Sequence, residues 1–119
     1  MQLTVVIPTY NEAENLPRLV SALFSLPIPD LKLLIVDDNS PDGTGEIAKI
    51  LSDENSGKVT LIQRSGKLGL GSAYVMGFGK AISEGAEAIA QMDADFSHPP
   101  EKLVELLEVL ENCDVAMGS

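Results

Sequence analysis

The sequence predicts an α/β protein: a Rossmann-like parallel sheet with helices on both faces. Three observations carry that prediction. Short aliphatic runs rich in β-branched residues alternate with stretches of helical periodicity along the whole chain. The runs are nearly continuous in apolar residues, as strands covered on both faces are. Proline, glycine, asparagine and aspartate cluster between the two kinds of segment, where turns are needed. The order reads βαβαβαβαβ, which implies right-handed crossovers between parallel strands.

The first strand is expected at residues 3–7 (LTVVI), ended by Pro8. Asn11 and Glu14 have the spacing of a capping box. Leu16, Leu19, Val20, Leu23 and Phe24 then recur at helical spacing and form one apolar stripe, closed by Pro27 and Pro29. Residues 33–36 make a second strand, followed by the turn-forming string DDNSPDG at 37–43. A helix from about Thr44 is expected to turn Ile47, Ile50 and Leu51 inward and to end between Asp53 and Gly57. Residues 59–62 are a third strand.

A glycine-rich loop with Arg64 and Lys67 follows at 64–71, then a helix over 74–82. Gly77 and Gly79 lower its propensity and predict close packing against a neighbour. Residues 88–92 are the fourth strand. Pro99 and Pro100 open a fourth helix, where a missing N–H costs nothing. That helix, to Glu111, should bury Leu103, Leu106, Leu107 and Leu110, and 115–117 should begin a fifth strand.

With 119 residues, the chain is a single domain or part of one. It is 45% hydrophobic but only 4% aromatic, so its core must be aliphatic. The formal net charge of −10 excludes nucleic acid as a partner, since no basic patch is present to meet a phosphate backbone. An acidic protein that handles a phosphate-bearing ligand needs a divalent metal or local cations. Cys113 is the only cysteine, which fits a reducing compartment and a packed side chain. No apolar run approaches the roughly 20 residues of a membrane span, and the N-terminus lacks the pattern of a signal peptide. The chain therefore reads as cytoplasmic.

In a parallel sheet, the segments that follow the strands all emerge on one edge. Here they are PTYNE (8–12), DDNS (37–40) and DAD (93–95). Ligands of open α/β sheets bind at that edge. Asp93 and Asp95 place two hard oxygen ligands together just past a strand, which suits Mg²⁺ or Mn²⁺. Ser97 could add a hydroxyl, and His98 an imidazole to Mn²⁺. Helix capping alone would explain any one cluster; three on one edge favour a site.

Several lookalikes fail on position. GTGEIA (43–48) fits a dinucleotide fingerprint but follows the second strand through a long polar turn. The calcium-loop pattern begun at Asp93 has His98 where glycine belongs and Val104 where glutamate belongs. A receiver domain needs its acidic pair after strand one and an aspartate after strand three. The string DADFS also looks like a phosphatase nucleophile motif, with Asp93 attacking phosphorus, but that motif sits on the first strand of its core.

Four strings in order carry a family resemblance: VVIPTYNE (5–12), VDDNSPDGT (36–44), KLGLGSAY (67–74) and MDADFSHPP (92–100). Together they resemble the family 2 inverting glycosyltransferases, most closely the dolichol-phosphate mannose synthase branch, over essentially the whole chain. The resemblance implies a GT-A type fold of which residues 1–119 form the nucleotide-sugar-binding portion. It implies that Pro8, Tyr10 and Glu12 border the base and ribose, and that Asp38 contacts the base with Asp37 beside it. By the same likeness Asp93 and Asp95 are catalytic and hold Mg²⁺ or Mn²⁺ against the diphosphate. Ser97 stands where some relatives carry glutamine as a further ligand.

The implied activity is inverting transfer of mannose from GDP-mannose to a polyprenyl (dolichyl-type) phosphate, at the cytoplasmic face of a membrane with peripheral association. One alternative is transfer of another sugar from a UDP-sugar to a lipid or polysaccharide acceptor. An alternative of another class is the phosphatase with Asp93 as nucleophile. Family members continue past Gly-Ser into an acceptor-side half, so this chain is expected to be an N-terminal portion of a longer enzyme.

Overall fold

The computed structural model describes residues 2–28, 30–65, 70–95 and 99–105. Its elements are β1 (Leu3–Thr9), α1 (Leu16–Phe24), β2 (Lys32–Asp37), α2 (Thr44–Glu54), β3 (Val59–Gln63), α3 (Leu70–Ser83) and β4 (Ala88–Gln91). Residues 102–105 are helical and seat Leu103, fully buried, in the core. The expected fifth strand and the remainder of the fourth helix lie outside the described residues.

The sheet is parallel, in the order β3-β2-β1-β4. Side chains alternate across it with period two. Leu3, Val5 and Ile7 of β1, with Leu33 and Ile35 of β2, meet α1 and α2 on one face. Val6, Leu34 and Val36 face α3 on the other. Right-handed crossovers require this division, because the chain moves outward through β2 and β3 and then returns past β1 to lay down β4.

α1 forms as its periodicity predicts. Leu16, Leu19 and Leu23 are completely buried, each contributing about 1.5–3 kcal/mol relative to exposure. Its start differs from the expected capping box. Asn11 has a left-handed backbone (φ 58°), and Asn15 occupies the N-cap without a side-chain cap bond. The N–H groups of Asn11, Glu12 and Ala13 donate instead to Ser40 Oγ, Thr44 Oγ1 and Asp42 Oδ2 of the next loop. Inter-loop bonding has replaced self-capping.

On α2, Ile47 and Leu51 pack on the core beside Ala48. Ile50 does not; it is 57% exposed, because it falls outside the arc that α2 turns to the sheet.

Pro8 is not the end of β1. The strand continues to Thr9, pairing Pro8 with Val36 and Thr9 with Asp37. Pro8 ends a different contact. The β1–β4 ladder closes with Met92 N–H donating to the Val6 carbonyl, 3.0 Å. The next β1 residue oriented toward β4 is Pro8, which has no N–H to give. The chain is thereby released from the sheet at Met92, immediately before Asp93.

α3 approaches β1 closely through one glycine. A Cβ added at Gly77 would collide with the Val6 side chain, whereas one at Gly79 would meet open space. The expectation of close packing thus holds for Gly77 and is corrected for Gly79. Val6 is β-branched and stiff, so it cannot yield. Gly77→Ala should destabilise the fold by about 1–3 kcal/mol, as overpacking does. Gly79→Ala should stabilise it by up to about 1 kcal/mol through helix propensity. Urea denaturation of the two variants checks this opposition of signs.

Candidate functional site

The four described strands all deliver their carboxyl ends to one edge. The strand order reverses between β1 and β4, so the crevice beside β1 is the switch point at which open α/β sheets bind ligands. The loops there are stitched together in sequence.

Asp37 is completely buried at the end of β2. Its Oδ1 accepts from Thr9 Oγ1 at 2.7 Å and from Ser40 Oγ at 2.6 Å, and its Oδ2 accepts from the Ser40 N–H at 3.1 Å. Asp37 therefore shapes the loop from beneath. Asp42 completes the join: its carboxylate accepts the Thr44 hydroxyl and the N–H groups of Thr44 and Ala13. The Thr44 hydrogen bond above all, helped by those amides, holds its carboxyl below the ordinary value of 3.8.

Asp38, next to Asp37, is also buried and meets Arg64 at the end of β3. Arg64 Nε donates to Asp38 Oδ1 at 2.5 Å and Nη2 to Oδ2 at 2.7 Å, a bidentate pair. Arg64 Nη1 donates to Ser72 Oγ on α3 at 2.8 Å. Two residues on, Tyr74 Oη donates to Asp93 Oδ1 at 2.8 Å. Burial first, then the hydrogen bond to Asp93 and the charges of Asp93 and Asp95, push the Tyr74 phenol well above its ordinary range. It stays protonated, as a donor.

The sequence-predicted residues fall as follows. Pro8 and Tyr10 stand at the end of β1, with Tyr10 exposed. Glu12 lies in the loop after it, its Oε2 accepting from Asn15 Nδ2 at 3.1 Å. Asp37 and Asp38 occupy the adjoining loop. Asp93, half-buried, and Asp95, exposed, follow β4. Ser97 and His98 lie outside the described residues.

Among the described residues, no three His, Cys, Asp or Glu side chains are arranged to hold a metal ion. Mg²⁺ and Mn²⁺ do not require three, since they take one or two carboxylates and complete their shell with water and phosphate oxygen. The hard oxygens of Asp93 and Asp95, two residues apart on a strand-end turn, fit that chemistry.

The sequence profile described as "Glycosyl transferase family 2" matches residues 4–119. The chain belongs to glycosyltransferase family 2.

Curated relatives of this family 2 chain include the polyprenol monophosphomannose synthase of Mycolicibacterium smegmatis, 44% identical over 97% of this chain and 43% of that protein. The undecaprenyl-phosphate mannosyltransferase of Micrococcus luteus is 42% identical over 100% of this chain and 48% of that protein. The chain thus spans less than half the length of these curated relatives. Among solved structures, the mannosyltransferase PcManGT from Pyrobaculum calidifontis, in complex with GDP-Man and Mn²⁺, superposes with a TM-score of 0.75 at 23% identity, covering 94% of this chain and 33% of that one. That likeness establishes the shared GT-A type fold.

The sequence alone points to no role for Arg64, one charge of a glycine-rich loop, or for Tyr74, one residue of the string KLGLGSAY. A buried acidic edge demands a cation nearby, and a lone tyrosine among the small residues of α3 demands a partner for its hydroxyl. Removing Arg64 would leave the buried Asp38 carboxylate without its bidentate partner. Arg64→Met should cost about 3–5 kcal/mol, measured by chemical denaturation at neutral pH.

Proposed function

We propose that this chain is the nucleotide-sugar-binding portion of an enzyme that moves mannose from GDP-mannose onto a polyprenyl phosphate with inversion. The observation that carries the reading is the shared edge: a carboxylate pair suited to Mg²⁺ or Mn²⁺ follows β4 beside the same β1 whose other neighbour brings Asp38. The names of the relatives support mannose and a polyprenyl phosphate as donor sugar and acceptor. The Mn²⁺ and GDP-Man bound to the solved mannosyltransferase support the metal and the base.

In this reading Tyr10 offers a stacking face to the base, and Glu12 and Asp38 accept hydrogen bonds from base or ribose. Asp37 keeps the Asp38 loop in place. Asp93 and Asp95 would hold the cation, which would supply charge neutralisation to the departing diphosphate. The acceptor phosphate attacks the anomeric carbon on the face opposite the leaving group. A bond from a phosphate oxygen to the anomeric carbon forms as the bond from that carbon to the diphosphate oxygen breaks, GDP leaves, and the configuration inverts. An ionised phosphate is already a nucleophile, so no general base is assigned.

A lipid acceptor would bring the enzyme to the cytoplasmic face of a membrane as a peripheral protein. No described helix is long and apolar enough to cross a membrane.

Calorimetric titration of GDP, UDP, GDP-mannose and UDP-glucose, each with and without Mn²⁺, tests the reading. GDP-mannose should bind with Mn²⁺ dependence. Asp93→Asn and Asp95→Asn should each abolish that dependence and leave the melting temperature close to wild type. Preference for UDP-glucose would favour the other-sugar alternative, and a beryllium-fluoride adduct at Asp93 would favour a phosphatase.

Glu12→Gln should weaken GDP binding roughly ten- to a hundredfold, the value of about 1.5–3 kcal/mol for a charge-assisted hydrogen bond. Metal dependence should persist in that variant. Wild-type affinity in the same titration would limit Glu12 to its contact with Asn15.

A further inference from the structure

The hydrogen bond between Tyr74 and Asp93 has no explanation in the folding of α3. Helix geometry does not require it, and a phenylalanine would pack in the same space. Its two ends come from different elements, 19 residues apart in sequence.

The ring itself is well held. Tyr74 packs with Phe78 at 6.4 Å between centroids and 57° between planes, and both join the core on the α3 face of the sheet. Ala73 and Ala81 are buried on the same helix, and Gly77 is pressed against Val6 of β1. A helix anchored in this way delivers the phenol oxygen to a fixed point. The segment it meets is the opposite case. The turn at 93–95 has just left the ladder at Met92, so strand pairing no longer orients Asp93.

We infer that Tyr74 is a positioning residue for Asp93, fixing one carboxylate oxygen so that the other serves as ligand to a divalent cation. The inference rests on the proposed function. Oxygen Oδ1 accepts the phenol proton, which leaves Oδ2 for the cation. A ligating carboxylate is ordinarily fixed by hydrogen bonds from groups that do not touch the metal, and losing such a partner typically weakens metal binding roughly ten- to a hundredfold. The same stretch of α3 reaches the other acidic loop, where Ser72 accepts from the Arg64 that grips Asp38. One helix thus braces the nucleoside side and the metal side of the edge together.

The test is Tyr74→Phe in the 119-residue chain. Free Mn²⁺ is followed by electron paramagnetic resonance as it is titrated in the presence of saturating GDP. Mn²⁺ affinity should fall roughly ten- to a hundredfold, while GDP affinity without metal stays at the wild-type value. A lowered melting temperature with unchanged Mn²⁺ affinity would make the bond a structural tie and overturn the inference.

A second measurement does not depend on that variant folding. The chain has two tyrosines and no tryptophan, so ultraviolet emission from Tyr10→Phe reports Tyr74 alone. Adding Mg²⁺ with GDP should change that emission as the carboxylate beside the phenol takes up the cation; a flat titration in a Tyr10→Phe protein that calorimetry shows to bind GDP overturns the inference. If wild type takes up no Mn²⁺, the metal in the proposed function falls and this inference with it. If wild type takes it up and Tyr74→Phe does so equally, this inference alone fails.

Discussion

Arg64 carries its guanidinium, almost wholly buried, into an edge built from carboxylates, and the loops on that edge are organised around it. Two aspartates in succession at the end of a central strand would repel each other and would each lose hydration. The structure separates their tasks. Asp37 turns down into a ring of hydroxyl and amide donors, and Asp38 turns to the guanidinium. A planar fork suits the second task, because it grips both oxygens of Asp38 and still has a nitrogen to spare for Ser72. β2, β3 and α3 are therefore joined through one side chain.

The architecture was legible in the sequence because parallel strands covered on both faces leave an unmistakable pattern of short aliphatic runs. The three polar clusters were placed on one edge for the same reason: in a parallel sheet, strand direction alone decides where they emerge. Individual contacts were less legible. The capping box at Asn11 and Glu14 is a local pattern, and it lost to bonds from residues 40–44, which no local pattern announces. Ile50 is apolar, but apolarity does not give direction, and the buried arc of α2 is too narrow to include it.

The candidate site divides along the same line. Carboxylates that follow strands can be read from a sequence, since their position is fixed by the chain that precedes them. Their partners cannot, since Arg64 lies 26 residues from Asp38 and Tyr74 lies 19 from Asp93. What brings each pair together is the crossover geometry of the sheet and the glycine that lets α3 settle on β1. The motif KLGLGSAY contained Tyr74 from the beginning, but a motif gives adjacency along the chain and says nothing of what a hydroxyl will meet across it.

The position of β1 also has a consequence for how the protein is made. β1 leaves the ribosome ahead of β2 and pairs with it soon after β2 emerges. Its other flank has to wait for β4, the last strand described. Synthesis at about 5–20 residues per second leaves that flank, with its free backbone groups and the side chain of Val6, uncovered for several seconds. During that interval the growing chain presents an open, aliphatic strand edge, the kind of surface on which nascent proteins aggregate and which chaperones shield. A strand flanked on both sides in the described sheet is thus the most vulnerable part of the unfinished one.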